Sequence, residues 1–344
     1  MAFQVGIVGA GTLGFERTRK LATYPDVHIA AVAEPERAAR DSFSRTFGAK
    51  LAVSDHRRLA SDPHLDIIYV CSPPATHSSV AIDCLEGGKH VICEQPMAVT
   101  MTQAEEMMVA AMTAGRRLFV ALPQRYDPAN QEAARIIDAN DIGYPFLVLI
   151  TNIENDYERL NDWHDWKGTW DTAGGGILMQ RGSEIMDLLN YFFGDMDAVN
   201  AVCTRFAIEP LNKAEDSCLL GIEFVEDVSA EVSITGAARF SAWPDEYTGT
   251  AMRTEIYGLD GSIRINNYEP RLIVSTQGNR HKVIPISDIK TDEPTDMDRD
   301  FLDAISEDRE PFVTVENARD ALKAVLASYK ASQNKRRVEM IEHL

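Results

Sequence analysis

The sequence contains no apolar run approaching the roughly 20 residues that span a bilayer, so no membrane-crossing helix is expected. Cysteine is scarce and unpatterned. Cys71, Cys84, Cys93, Cys203 and Cys218 are odd in number and show no C-x-x-C spacing. Neither a disulfide framework nor a metal site is therefore expected, and the five read as buried thiols. Positive charge is in deficit, with 34 Lys and Arg against 53 Asp and Glu and a formal net charge of -19. Such a chain repels phosphate backbones and anionic lipid, which argues against nucleic acid and membrane surfaces as partners. Little precedes the first strand-like run, residues 3–8, and that leaves no room for a charged start, an apolar segment and a cleavage site. A cytoplasmic location is the expectation.

What is present is an ordinary globular composition, 45% hydrophobic and 25% charged, in 344 residues, enough for two domains that each bury a core. Short apolar runs at residues 3–8, 28–33, 66–71, 90–93 and 117–121 alternate with helix-like stretches. That alternation predicts a doubly wound parallel α/β sheet of the Rossmann kind over residues 1–123. The punctuation agrees: Gly87-Gly88 and Gly115 fall at helix ends, and Thr100 with Gln103 has capping-box spacing. Asp127-Pro128 supplies an N-cap and N1 proline for a helix reaching about residue 140. From residue 146 the texture changes to alternating strands at 199–208, 218–225, 229–235, 254–257 and 262–265, the last two separated by an Asp260-Gly261 hairpin signal. An α+β domain over 124–344 with a large, mostly antiparallel sheet is expected. Helical patterns fall at 176–193, 297–306 and 315–332, with room for the C-terminal helix to pack back on the first domain.

The sharpest motif is Gly9-Ala10-Gly11-Thr12-Leu13-Gly14, a G-x-G-x-x-G placed after a strand and before a helix. Its glycines permit a tight turn, close approach of a pyrophosphate and close helix packing, and the helix N-terminus attracts the negative charge. Glu34 ends the second strand 20 residues after Gly14, where a carboxylate accepts hydrogen bonds from the adenosine ribose and repels a 2'-phosphate. NAD is thus favoured over NADP, although Arg37 and Arg40 stand close enough to pair with such a phosphate.

Ligands of open parallel sheets lie beyond the carboxyl ends of the strands. The residues there are Ser72-Pro73-Pro74 with His77, then Glu94-Gln95-Pro96, then Gln124-Arg125-Tyr126. Glu94 and Gln95 are expected toward the nicotinamide end. His77 reads either as a ligand contact or as a polar residue at a helix start. On the helix at 176–193, Gln180, Glu184, Asp187 and Tyr191 share one face, which is either a solvated stripe or a site wall. The preceding Gly174-Gly175-Gly176 favours the wall, because glycines allow a close backbone approach.

The order of these motifs resembles the glucose-fructose oxidoreductase, inositol dehydrogenase and rhizopine-catabolism (Gfo/Idh/MocA) family over nearly the whole chain. The resemblance rests on the segment from Asp66 to His77, on Gly87 to Pro96, on Gly174-Gly175-Gly176 with Asp187, and on Ile256 to Ile263. It implies a Rossmann domain, an open second sheet that supports homodimers or homotetramers, and hydride exchange between NAD(P) and a sugar or polyol carbon. Three positions depart from the family pattern. Gln95 stands where the family carries a lysine, and Gln180 and Glu184 stand where it carries Asp and His. Of the three, only Glu184 keeps acid/base capacity, and losing a positioned acid or base costs about a hundredfold to ten-thousandfold in rate. The resemblance therefore implies an NAD-dependent oxidoreductase acting on a hydroxyl of a sugar, cyclitol or sugar acid, with a changed active site. In it Glu184 is the base, Gln95 and Gln180 are polar contacts, and Tyr126 or His77 completes a relay. Arg125, Trp163 and His164 join Gln180 and Glu184 as candidate substrate contacts, and Asp187 reads as structural. Two alternatives stay open: a lyase, epimerase or glycoside-cleaving enzyme that retains NAD without net redox change, and a noncatalytic NAD-binding sensor.

Overall fold

The computed structural model describes residues 2–156, 166, 169–206, 214–238, 251–267, 271–278 and 280–341, so Trp163 and His164 lie outside the described residues. The chain divides into two compact units, residues 1–121 with 298–319, and residues 122–297 with 320–344.

The first unit runs β1 (Phe3–Val8), α1 (Thr12–Leu21), β2 (Val27–Ala33), α2 (Arg37–Phe47), β3 (Leu51–Val53), α3 (Arg57–Ala60), β4 (Ile67–Val70), α4 (His77–Glu86), β5 (His90–Glu94), α5 (Met101–Ala114) and β6 (Leu118–Ala121). Its six strands lie in the order β3-β2-β1-β4-β5-β6, all parallel. Every residue of β4 and β6 is buried, as helices on both faces of a parallel sheet require. The order reverses beside β1, which puts a topological switch point at the ends of β1 and β4. Local signals set the helix ends. Thr100 accepts a hydrogen bond from Gln103 N (3.2 Å), the Gln103 side chain accepts one from Val99 N, and Gly115 closes α5 at φ +60°.

The second unit contains α6 (Pro128–Asp138), β7 (Pro145–Ile153), α7 (Trp170–Ala173), α8 (Ile177–Phe193), β8 (Met196–Thr204), β9 (Ser217–Phe224), β10 (Ser229–Thr235), β11 (Ala251–Gly258), β12 (Gly261–Asn266), β13 (Arg271–Thr276) and β14 (Lys282–Pro285). After α9 (Met297–Glu307) and α10 (Val315–Asn334), the short β15 (Val338–Glu339) completes a nine-stranded sheet. Its order is β14-β13-β12-β11-β7-β10-β9-β8-β15, antiparallel except for β7 beside β10. Burial alternates along β9 and β10, so one face of the sheet is covered and the other is not. Asp127 caps α6 through Ala129 N (2.8 Å), and β11 and β12 form the hairpin signalled by Asp260-Gly261.

Residues 298–319, expected with the second domain, cluster with the first unit, and side chains show why. Phe301 stacks on Phe119 of β6 with ring centroids 4.8 Å apart, and neither is more than 1% exposed. Lys20 pairs with Asp298, Asp26 with Arg299, and Arg117 with Asp308 and Glu310. The C-terminal part of α10 instead serves the second unit through Tyr329 and Ser332. Among the described residues no helix is long and apolar enough to cross a membrane, and no group of three or more His, Cys, Asp or Glu is placed to hold a metal ion. Two of the five cysteines, Cys71 and Cys203, are only partly buried.

Replacing Phe301 with Ala is expected to cost about 3–5 kcal/mol, the range for emptying a large aromatic site in a core. Urea unfolding followed by circular dichroism measures it, and an unchanged midpoint would place residues 298–319 outside the first core.

Candidate active site

The glycine loop of the first unit owes its shape to three different demands. Gly9 has φ +100°, and a Cβ there would stand 2.6 Å from the carbonyl oxygen of Cys71. A Cβ at Gly14 would fall onto the Gly9 carbonyl, so this glycine lets α1 pack against the loop. Gly11 is unlike either: its φ is -78°, and a Cβ there would meet nothing within 4 Å. No fold constraint asks for glycine at this position. The open space lies at the N-terminus of α1, where backbone N–H groups lack intrahelical partners and no side chain caps them. Gly11, Thr12 and Leu13 are all exposed. An uncapped helix start beneath a cradle clear of protein side chains fits a pyrophosphate.

Glu34 follows β2 and reaches back to this loop. One carboxylate oxygen accepts from Ala10 N and the other from Glu36 N, each at 2.9 Å, which fixes the carboxylate beside the cradle. Arg40, a possible partner for a 2'-phosphate, donates to the backbone oxygens of Glu34 and Pro35. Arg37 is exposed and pairs with Asp41 at 3.6 Å.

At the ends of β4 and β5 much of the polar chemistry is turned inward. His77 opens α4 and is 1% exposed, with Nδ1 2.8 Å from the Pro96 oxygen and Nε2 2.7 Å from the Ser72 oxygen. Burial pushes the imidazole below its ordinary pKa, against the pull of the two carbonyls. His77 thus sits between the Ser72-Pro73-Pro74 turn and the loop after β5, and the one N–H of a neutral imidazole ties it to one of the two carbonyls. Ser72 and Thr76 share a hydroxyl hydrogen bond of 2.7 Å on the exposed side of that turn. The Glu94 carboxylate accepts from Arg17 Nε and Nη2 and from Tyr69 OH. Arg17 and Tyr69 were missed in the sequence. Arg17 is legible in hindsight, one turn after Gly14 on α1, whereas nothing in the 66–71 run marks Tyr69. Gln95 follows, part-buried, just past the end of β5.

In the second unit α8 carries the candidate acid/base group. Its expected polar stripe is not a solvated face: Glu184 is 7% and Asp187 0% exposed, with Gln180 and Tyr191 partly covered. Arg181 Nη1 lies 3.2 Å from one Glu184 oxygen, and its Nε pairs with Glu154, just past β7. The other Glu184 oxygen faces Gln124 Nε2 at 3.5 Å, and Asn130 donates to both Gln124 oxygens. Burial works against the Arg181 charge, but Glu184 and then Glu154 outweigh it and hold the guanidinium above its ordinary pKa. The result is two buried carboxylates around one guanidinium. Sequence spacing offers Arg181 as an i,i+3 neighbour of Glu184, while Glu154 sits on another element and gave no signal.

The glycines before α8 serve the protein itself. A Cβ at Gly175 would strike the Tyr329 hydroxyl, and one at Gly176 would strike the Glu215 carbonyl. The Glu215 carboxylate accepts from Gly176 N and Leu178 N, and from Tyr329 OH at 2.6 Å. Tyr329 OH is in turn reached by Gly176 N and Met179 N. The close backbone approach expected of these glycines is made by Glu215 and Tyr329. Burial raises the Glu215 pKa against these hydrogen bonds.

Arg125, expected to touch substrate, is turned to Asp187. Its Nε lies 3.0 and 2.9 Å from the two carboxylate oxygens and its Nη2 2.6 Å from one of them, and the guanidinium also lies 5.2 Å from the Tyr191 ring centre. Burial pushes Asp187 above the usual carboxylate range, with Arg125 pulling the other way. Tyr126, next in sequence, is 4% exposed. Replacing Asp187 with Ala should cost about 3–5 kcal/mol by stranding a buried cation, whereas the double replacement Arg125→Met with Asp187→Leu should restore most of it. Chemical denaturation of the three proteins checks this, and a double variant no more stable than Asp187→Ala would refute a purely structural pair.

Comparison with known proteins identifies the family. Residues 3–122 match the model of the Gfo/Idh/MocA oxidoreductase family, NAD-binding Rossmann fold, and residues 134–340 match that of its C-terminal alpha/beta domain. Myo-inositol 2-dehydrogenase of Thermotoga maritima is 23% identical over 352 residues, covering 98% of this chain and 99% of that protein. Levoglucosan dehydrogenase of Pseudarthrobacter phenanthrenivorans is 29% identical over 291 residues, covering 78% of this chain and 74% of that protein. A levoglucosan dehydrogenase solved with NADH and levoglucosan superposes with a TM-score of 0.87 at 21% identity, over 99% of this chain and 100% of that one, a likeness of fold. With both halves matched in order, the chain belongs to the Gfo/Idh/MocA family of NAD-binding oxidoreductases.

Proposed function

We propose that the protein is an NAD-dependent dehydrogenase that oxidises a hydroxyl of a sugar, cyclitol or sugar acid, with Glu184 as the proton acceptor. The observation that carries this reading is the seating of Glu184, buried yet held from two sides by Arg181 and Gln124. Of Gln95, Gln180 and Glu184, only the carboxylate can take up a proton. NAD supplies the hydride acceptor when bound, and Gly11 with the start of α1 holds its pyrophosphate beside Glu34. Glu184 takes the hydroxyl proton while Arg181 and Gln124 keep its oxygens oriented. Gln180, one turn earlier on α8, hydrogen-bonds a neighbouring hydroxyl, and Gln95 offers a polar contact in place of a titrating amine. Arg125 and Tyr126 shape the wall behind this group, Arg125 through its pair with Asp187. A homo-oligomer is the matching expectation. Val202 and Leu219, opposite each other on β8 and β9, are 57% and 60% exposed, and a monomer mass by sedimentation would argue against it.

The direct test is absorbance of the protein with NAD while sugars, cyclitols and sugar acids are titrated in and products are followed. NADH accumulating in step with product is expected. Product without net NADH would overturn the reading in favour of a cofactor-retaining, non-redox reaction. The Glu184→Gln variant should lose about a hundredfold to ten-thousandfold in turnover with NAD affinity unchanged, and normal turnover would remove Glu184 from its role.

Because a Cβ at Gly11 meets no protein atom, Gly11→Ala should leave the melting temperature of the protein without NAD unchanged and weaken NAD binding at least about tenfold. Calorimetric titration reads this, and undiminished affinity would show that the pyrophosphate does not approach there.

A further inference from the structure

Cys203 of β8 and Cys218 of β9 stand directly opposite each other, which puts both side chains on one face of the sheet. The pairing is of the narrow kind. Cys203 N turns away from β9 and donates to Ser332 Oγ at 3.0 Å, so the two cysteines do not exchange ladder hydrogen bonds. Facing residues in such narrow antiparallel pairs have Cα atoms about 4.5 Å apart, inside the span of roughly 4.4–6.8 Å that a disulfide bridges. Cys203 is partly exposed and Cys218 is 2% exposed, so one sulfur of the pair is open to reagents and the other is shielded behind it.

We infer that Cys203 and Cys218 form a reversible dithiol–disulfide site that reacts with low-molecular-weight disulfides. The Cys203 thiolate attacks one sulfur of the small disulfide, forms a mixed disulfide and expels one small thiolate. The Cys218 thiol gives up its proton and attacks Cys203 Sγ, which expels the second small thiolate. One small disulfide and two protein thiols become one protein disulfide and two small thiols, with two electrons passing from the protein to the reagent. Exposure sets the order of attack, because the partly exposed Cys203 meets the reagent first and the buried Cys218 meets only Cys203.

The bridge has a mechanical consequence, because Cys218 lies three residues after Glu215, the residue that holds the first turn of α8. Joining β8 to β9 braces that segment, and with it the helix bearing Gln180 and Glu184.

The test treats the intact reduced protein with excess glutathione disulfide, blocks remaining thiols with iodoacetamide in denaturant, and maps tryptic peptides by mass spectrometry. A peptide pair linked through Cys203 and Cys218, reversed by dithiothreitol, is expected, with Cys71, Cys84 and Cys93 alkylated. The Cys218→Ser variant should trap glutathione on Cys203, and Cys203→Ser should leave Cys218 unmodified. Absence of the linked peptide, or a wild type that stops at the Cys203 mixed disulfide, would overturn the inference. Hydrogen exchange at the amides of Gly176, Leu178 and Met179 should slow severalfold on oxidation, and equal rates in the two forms would overturn the bracing.

Discussion

The start of α8 is the constraint on which the chemistry of the second unit depends. A helix begins with N–H groups that find no carbonyl within it, and when that end is buried they must be met from elsewhere. Here Glu215 and the Tyr329 hydroxyl meet them, and glycine at 175 and 176 is the condition that lets both come close. A carboxylate at a helix N-terminus also opposes the helix dipole favourably. The orientation of Glu184 toward Arg181 and Gln124 follows from this anchored start, two turns upstream. The same clasp gathers α10 and the segment before β9 to a single point of the second unit.

The first unit is governed by which polar groups the protein uses up for itself. Glu94 is spent on Arg17 and Tyr69, and His77 is enclosed between two backbone carbonyls. These ties make the strand-end loops a rigid platform rather than a set of free ligands. What stays open is the cradle over Gly11 and the uncapped helix start beneath it, with Glu34 fixed alongside. What this loop presents to a dinucleotide is therefore mainly backbone and shape, and no fold contact demands glycine at position 11.

Legibility followed range along the chain. Thr100 with Gln103, Asp127 with Pro128 and Asp260 with Gly261 act over a few residues, and each formed the cap or turn its chemistry implies. The glycine motif is equally local. Arg125 and Asp187, by contrast, are 62 positions apart, and Arg125 read as a substrate contact because nothing nearby in the sequence could show its partner. The glycines before α8 correctly announced a close approach, but the approaching groups, Glu215 and Tyr329, come from distant segments. Residues 298–319 read as part of the second domain because they follow it in the chain. The packing of Phe301 on Phe119 assigns them to the first.

The sequence by itself determined the two kinds of sheet, most helix ends, the dinucleotide loop and the family, since periodicity, capping and turn chemistry depend on neighbours a few residues away. Tertiary structure alone decided which charges are consumed in pairs. It also decided that Glu184 is buried in a hydrogen-bonded network and that Cys203 faces Cys218. Those outcomes depend on strand register and on contacts between distant segments, and an ionisable group's role depends on the partners that burial brings to it.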